Sequence, residues 1–183
     1  MNAAVEQRMV AVVRDCPARM VPSGTPITLP KNSFVTITQA RGGNYTVSYR
    51  GNLARVDGID ADALGLQREE IQYTDSGSDV PQETHVWDTL RTIYDPEIPV
   101  NIVDLGLVYS VDIAKNDVGH DVVTVTMTLT SPTCGMGQVL ANDVRYRVSK
   151  VPNVDAVNVN LVFDPPWSRD QISDEAKLEL GIF

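Results

Sequence analysis

The strongest constraint on the fold is a polar stretch near the middle of the 183-residue chain. Residues 67–81 read QREEIQYTDSGSDVP and offer almost no apolar surface to offset the conformational entropy lost on ordering them. We therefore predict that residues 67–81 form a linker. It separates a small β-rich unit at residues 1–66 from a larger unit at residues 82–183.

The first 66 residues contain short β-rich pieces separated by turn residues. A hairpin turn is predicted at residues 41–44 (RGGN), because glycine and asparagine tolerate positive φ. These features predict a small all-β unit, built as a β-barrel or a β-sandwich. The β-rich pieces are residues 9–13, 27–29, 34–39 and 45–50.

After residue 82 the hydrophobic periodicity changes between the spacing of helices and that of strands. Apolar residues have helical spacing after a cap at Thr84, and Pro96 ends that helix. The order α-β-β-α-β predicts an α+β domain with a small mixed sheet, whose last strand is parallel to residues 122–130 through a right-handed crossover. The later elements are strands at residues 107–113, 123–129 and 157–163 and a helix at residues 140–151.

The charge balance limits the class of partner. The chain has 24 acidic residues against 15 Lys and Arg, a formal net charge of −9. Nucleic acids and anionic membranes attract clustered positive charge, so we expect neither as a ligand. The chain has no apolar run of roughly 20 residues, and its start, MNAAVE, lacks the basic and apolar segments of a secretory signal. We expect a cytoplasmic protein.

Cys134 is the residue best placed for chemistry. It falls in the predicted turn between a strand and a helix, where backbone N–H groups at the helix start favour the thiolate. Gly135 and Gly137 keep its surroundings small, so a metal, a cluster or a partner can approach the sulfur. The pattern leaves a second interpretation open, in which Cys134 is a buried structural thiol.

The loop at residues 95–104 brings three acids into a proline-fixed segment, which is either a rigid connector or a site. Of the remaining candidates, we expect Cys16 to be a buried, small apolar residue. We expect His85 and His120 to be solvated loop residues.

Motifs of the common enzyme classes are missing from the sequence. It has no Cys-x-x-Cys pair, nucleophile elbow, phosphate loop or dinucleotide fingerprint. The alternative to a non-catalytic protein is a thiol-dependent enzyme with Cys134 as nucleophile. That enzyme requires a nearby base, and no histidine is obviously placed to serve.

Three motifs resemble one known family in order and spacing. They are residues 95–109 (DPEIPVNIVDLGLVY), residues 128–134 (TLTSPTC) and residues 164–167 (DPPW). Together they resemble the domain shared by SufT, the PaaD protein of phenylacetate degradation and the eukaryotic cytosolic iron–sulfur targeting complex, over roughly residues 82–183. Residues 14–16 and 51–58 look like the N-terminal extension of SufT itself.

The resemblance implies an accessory role in maturing iron–sulfur proteins, as a non-catalytic carrier or adaptor that acts through Cys134. It implies transient binding of iron or of an iron–sulfur cluster, with Cys134 and Glu97 as metal ligands and with Thr133 and Asp95 in the same site. The implied partners are iron–sulfur scaffold or carrier proteins, client apoproteins and a possible second copy of the chain. One cysteine cannot fill the four thiolate positions that a cluster usually takes, so transfer or docking fits better than storage.

Overall fold

The computed structural model describes residues 7–41, 43–74, 77–95, 98–132, 135 and 137–182, without the Arg41 side chain. Backbone contacts divide the chain into two units, Met1–Ile71 and Gln72–Phe183. Within the stretch predicted as a linker, the Glu69 amide donates to the Gly58 carbonyl in the first unit. Tyr73 packs against the apolar core of the second unit.

The first unit is an antiparallel sheet of six strands in the order β1-β4-β5-β6-β2-β3. A 3-10 helix, Gly58–Leu64, follows the sheet. The small all-β unit is therefore confirmed, although the described strands form one sheet with two edges rather than a barrel or a sandwich. Gly42, in the predicted hairpin turn, lies outside the described residues. The strands are β1 (Arg8–Ala11), β2 (Cys16–Met20), β3 (Pro26–Leu29), β4 (Phe34–Arg41), β5 (Asn44–Tyr49) and β6 (Asn52–Asp57).

Sequence patterns missed β2 and β6. Arg19 of β2 lies opposite Arg55 of β6 in the ladder, and the two residues are only 5% and 6% exposed. Asp57, with a fully buried side chain, lies 4.0 Å from the Arg19 guanidinium. Buried charged residues conceal the alternation of apolar and polar positions by which a strand is recognised.

The second unit has the predicted order α-β-β-α-β, followed by a further helix. β7 pairs antiparallel with β8, and β8 pairs parallel with β9, so the predicted hairpin, the parallel last strand and the mixed sheet are confirmed. Apolar side chains of β8 and of the first two helices form the core. The elements are α1 (Glu83–Leu90), β7 (Val108–Lys115), β8 (Asp121–Met127), α2 (Gly137–Val148), β9 (Ala156–Leu161) and α3 (Asp174–Leu180).

Two details of α1 differ from the sequence prediction. Its N-cap is Gln82 rather than Thr84, and it ends at Leu90, well before Pro96, which lies outside the described residues.

His85 was expected in solvent but is 7% exposed within α1. The Tyr73 ring, from the polar stretch, covers this face of the helix and so buries His85. The centres of the two rings are 5.3 Å apart. His120 is exposed in the β7–β8 turn, as expected.

The helix α3 was not predicted, because only Ala176 of its residues is buried and it has no apolar periodicity. The residues at its two ends were the available sequence indication of a helix. The Ser173 hydroxyl accepts from the Ala176 amide at 3.2 Å, and Gly181 ends the helix with a φ of 68°. A serine before two acids and a glycine after the last turn are common helix boundaries.

Candidate functional site

The predicted site residues are unevenly described. Cys134, Thr133 and Glu97 lie outside the described residues, whereas Asp95 lies inside them. The framework around these positions is nevertheless described: the end of β8, the start of α2 and most of the 95–104 loop.

The carboxyl end of β8 is fixed on both sides. The Thr128 amide donates to the Leu107 carbonyl at 2.8 Å, and the Val162 amide donates to the Met127 carbonyl at 2.9 Å. Thr128 is fully buried, and Leu129 is 5% exposed. The segment that leads into the TLTSPTC motif therefore starts from a rigid position.

Two hydroxyl groups at this end of β8 lack a hydrogen-bond partner. They are the buried Oγ1 atoms of Thr128 and Thr130, in the part of the chain that the structure describes. A buried donor without a partner is unfavourable in a folded protein unless a ligand or water satisfies it. Hydroxyl donors at this position suit an anionic ligand.

The start of α2 packs directly on β8. A Cβ atom built on Gly137 would stand 2.6 Å from Cδ1 of Leu129, so an alanine here would push the leucine side chain aside. Glycine therefore lets the first turn of α2 lie beside the carboxyl end of β8. The amino end of this helix favours negative charge in the segment between them.

Asp95 organises its own loop. The residue is 6% exposed, and its carboxylate Oδ1 accepts from the Ile98 amide at 3.0 Å. The Asp95 amide donates to the Val100 carbonyl at 3.2 Å. Asp95 thus ties the start of this loop to residues 98–100. Contact between Asp95 and a cofactor stays a prediction.

Asn101 fixes the second half of this loop, and the sequence reasoning did not single it out. Its Oδ1 accepts from the amides of Val103 and Asp104 at 3.1 and 3.0 Å. Its Nδ2 donates to Asp104 Oδ2 at 2.6 Å. An asparagine that bonds to the backbone two and three residues ahead is a common loop device, so the Asn-x-x-Asp spacing was the available signal.

The DPPW segment is bonded to the first motif. The Tyr109 hydroxyl donates to the Pro165 carbonyl at 2.8 Å. The Trp167 indole Nε1 donates to the Leu105 carbonyl at 2.7 Å. Because the first motif also bonds to Thr128, the three motifs recognised in the sequence meet at one end of the mixed sheet. This convergence defines the candidate site.

A buried charged side chain of α2 is hydrogen-bonded to the segment that precedes the 95–104 loop. Arg147 is 1% exposed, and its Nη1 donates to the Thr92 carbonyl at 3.1 Å and to the Thr92 hydroxyl at 2.8 Å. Thr92 lies between α1 and the Asp95 loop. The bonds therefore tie α2 to the start of that loop, a role that apolar periodicity does not show.

The other cysteine has a structural environment. Cys16 is fully buried in the core of the first unit, which agrees with its predicted role. Burial and, to a lesser degree, the nearby Asp60 carboxylate together raise the pKa of its thiol to about 12. The neutral thiol therefore prevails at physiological pH.

The described residues contain no group of three or more His, Cys, Asp or Glu side chains able to hold a metal ion. Cys134 and Glu97 are not among the described residues. The same residues include no helix that is long and apolar enough to cross a bilayer.

Comparison with known proteins finds relatives of the second unit. A family model described as iron-sulfur cluster assembly protein matches residues 83–161. An Fe-S protein maturation auxiliary factor of Porphyromonas gingivalis is 51% identical over 92 residues, which are 50% of this chain and 84% of that protein. The Fe-S protein maturation auxiliary factor SufT of Staphylococcus aureus is 42% identical over 90 residues, 49% of this chain and 98% of that protein.

A solved structure, a domain of unknown function from Bacillus anthracis, is 40% identical with a TM-score of 0.47 and covers 55% of this chain and 92% of that one. The matches cover 84% and 98% of the two relatives' own lengths. The chain therefore belongs to the iron–sulfur cluster assembly protein family, and the resemblance found in its three motifs is confirmed.

Proposed function

We propose that the protein is an accessory factor in the maturation of iron–sulfur proteins, acting as a carrier or adaptor through Cys134. The supporting observation is the convergence of three motifs at the carboxyl end of β8, where Leu107, Thr128 and Val162 fix the backbone that leads to Cys134. Family membership and relatives named as maturation factors support the same process.

The cargo is iron or a preformed iron–sulfur cluster, held transiently. In this proposal Cys134 and Glu97 are the metal ligands, while Thr133 and Asp95 contact the cargo or hold its loop. A cluster usually takes four thiolates, so the remaining ligands come from a client's cysteines or from a second copy of the chain. A cluster with shared ligands is easily passed on, which suits transfer.

The role is non-catalytic in this proposal, and the histidine positions support that choice. His120 precedes Asp121, the first residue of β8, whereas Cys134 follows the other end of that strand. Seven strand residues at about 3.3 Å each put roughly 20 Å between these ends. His120 is therefore too far away to serve as a base for Cys134, which disfavours the alternative of a thiol-dependent enzyme. His85 is buried in α1.

The proposed partners are iron–sulfur scaffold or carrier proteins and client apoproteins in the cytoplasm, with a homodimer as one route to shared ligands. The net charge of −9 argues against nucleic acid as a partner.

Anaerobic reconstitution tests the proposal. Purified full-length protein is incubated with iron and sulfide, and absorption spectra and native mass then report bound iron and oligomeric state. We expect the parent and Cys16→Ser to bind iron and Cys134→Ser to lose most of it, because serine supplies no thiolate ligand. Equal iron binding by parent and Cys134→Ser would refute the assignment of Cys134.

A further inference from the structure

A cavity of about 280 Å³ opens at one end of the sheet in the first unit, where β5 turns into β6 and β2 ends. We call it the Arg50 pocket and define it by six of its lining residues. They are Met20, Ile27, Tyr49, Arg50, Asn52 and Ala54.

The Arg50 pocket opens onto the apolar core of the unit. Met20 lies opposite Ala54 in the ladder, and Tyr49 lies opposite Asn52. Ala54 is 1% exposed and belongs to the core, and residues two apart on a strand share one face of a sheet. Asn52, Met20 and Tyr49 therefore lie on the core face. The pocket lies where the core face of the sheet reaches the surface. Its floor is apolar, and the polar residues Arg50 and Asn52 lie beside it.

Arg50 occupies a position that is unfavourable for its backbone. It has a φ of 49°, and with Gly51 at 80° it forms the two-residue turn between β5 and β6. Such turns favour glycine, asparagine or aspartate, and a left-handed conformation costs other residues about 1–2 kcal/mol. A residue held in a strained backbone conformation is a reason to look for a function at that position.

The Arg50 side chain is available to a ligand. It is exposed, and its guanidinium carbon lies 5.2 Å from the centre of the Tyr49 ring. No carboxylate lies within ion-pair distance of it in the described parts of the chain. The Arg50 pocket therefore combines an apolar cavity with a cation whose charge is not compensated. Arginine, tyrosine and methionine are also the residue types enriched where proteins meet.

We infer that the Arg50 pocket binds a short segment of a partner protein, which inserts one large aliphatic side chain and places a neighbouring carboxylate against Arg50. The apolar floor accounts for the aliphatic side chain. The guanidinium, held beside the Tyr49 ring, accounts for the carboxylate through a two-pronged hydrogen bond. This surface lies wholly in the first unit and does not depend on the role of Cys134.

An NMR titration of the full-length chain tests the inference. The probe is the blocked dipeptide N-acetyl-leucyl-glutamate amide, with N-acetyl-leucyl-lysine amide and N-acetyl-glycyl-glutamate amide as comparison ligands. We expect saturable shifts at the amides of Met20, Ile27 and Asn52 with the first peptide only. Equal binding of either comparison peptide would overturn the inference, because it would show that the carboxylate or the aliphatic side chain is not needed for binding.

Arg50→Gly is the decisive variant, because glycine suits the positive φ and the fold should persist. We expect it to bind the leucyl-glutamate probe about fivefold more weakly, the upper range for an exposed ion pair. Arg68→Gly removes an exposed charge elsewhere in the same unit and should bind like the parent. Unchanged affinity in Arg50→Gly would contradict the inference. Concentration-dependent shifts of pocket amides without any probe would also contradict it, because they would identify a second copy as the occupant.

Discussion

Gly106 lies so close to Gln171 that a Cβ atom built on the glycine would stand 2.4 Å from the Gln171 carbonyl oxygen. Gly106 also has a φ of 75°, which side chains other than glycine rarely adopt. The side-chain Nε2 of Gln171 donates to the Gly106 carbonyl at 3.3 Å. This contact holds the segment after the DPPW motif against the first motif, so it closes one side of the candidate site.

Gly106→Ala should therefore destabilise the second unit by about 2–4 kcal/mol, because it adds a backbone collision to the left-handed strain. Gly119→Ala is the matched control, since Gly119 has a φ of 81° but no atom within 4 Å of its Cβ position. It should lose only about 1 kcal/mol. Urea unfolding followed by tryptophan fluorescence measures both, because the two tryptophans, Trp87 and Trp167, lie in the second unit. Equal losses would show that the Gln171 contact is unimportant.

Arg147→Met should destabilise the same unit by about 2–4 kcal/mol. The change removes both hydrogen bonds to Thr92 and leaves a partly buried carbonyl without this donor. Arg145→Met removes an exposed arginine from the same helix and should change stability by no more than about 0.5 kcal/mol. The fluorescence assay applies again. A loss in Arg147→Met as small as in the control would argue against a structural role for these bonds.

Cys16 should resist alkylation in the folded protein at pH 8. Its pKa of about 12 leaves roughly one thiol in ten thousand ionised, and burial also excludes the reagent. Because the folded pKa is raised, this thiol favours folding below pH 9 and loses that contribution as the pH rises from 9 toward 12. Iodoacetamide labelling with peptide mass spectrometry should show Cys16 modified only in urea. Rapid labelling without urea would mean that the core around Cys16 opens readily.

Cys134→Ser should cost the fold no more than about 1 kcal/mol, because serine nearly preserves the volume and retains a group able to cap a helix. Client maturation in cells should nevertheless be largely lost, and Cys16→Ser should leave more of it. Unfolding curves of the purified variants, compared with the activity of client enzymes, separate the two effects. A Cys134→Ser protein that matures clients normally, or one that fails to fold, would defeat the prediction.

Limited proteolysis should cut first within residues 67–81, where the composition offers least to hold the backbone. The bonded residues inside this stretch refine the expectation. Glu69 is hydrogen-bonded to Gly58, and Tyr73 is hydrogen-bonded to Thr89. Peptide bonds away from these two residues should therefore be cleaved first. Fragment masses from a brief digestion identify the sites. First cuts within residues 122–163 would show that the predicted division of the chain is incorrect.

The sequence by itself determined the elements whose apolar residues follow a local period. β8, α2 and β9 were predicted with small boundary errors, because each buries one face and its spacing records that face. The family motifs and the position of Cys134 at the junction after β8 were also available from sequence. These features depend on residues a few positions apart, so a linear pattern is enough to reveal them.

Tertiary structure decided the contacts between distant residues. Arg147 and Thr92 are 55 positions apart, and Trp167 and Leu105 are 62 apart. The burial of Arg19 opposite Arg55 and the opening of the Arg50 pocket likewise arise from strand pairing. Local spacing cannot specify such contacts, because each depends on where two separate elements meet once the apolar faces have packed. The chain encodes the site's parts locally, and the packing of the sheet brings them together.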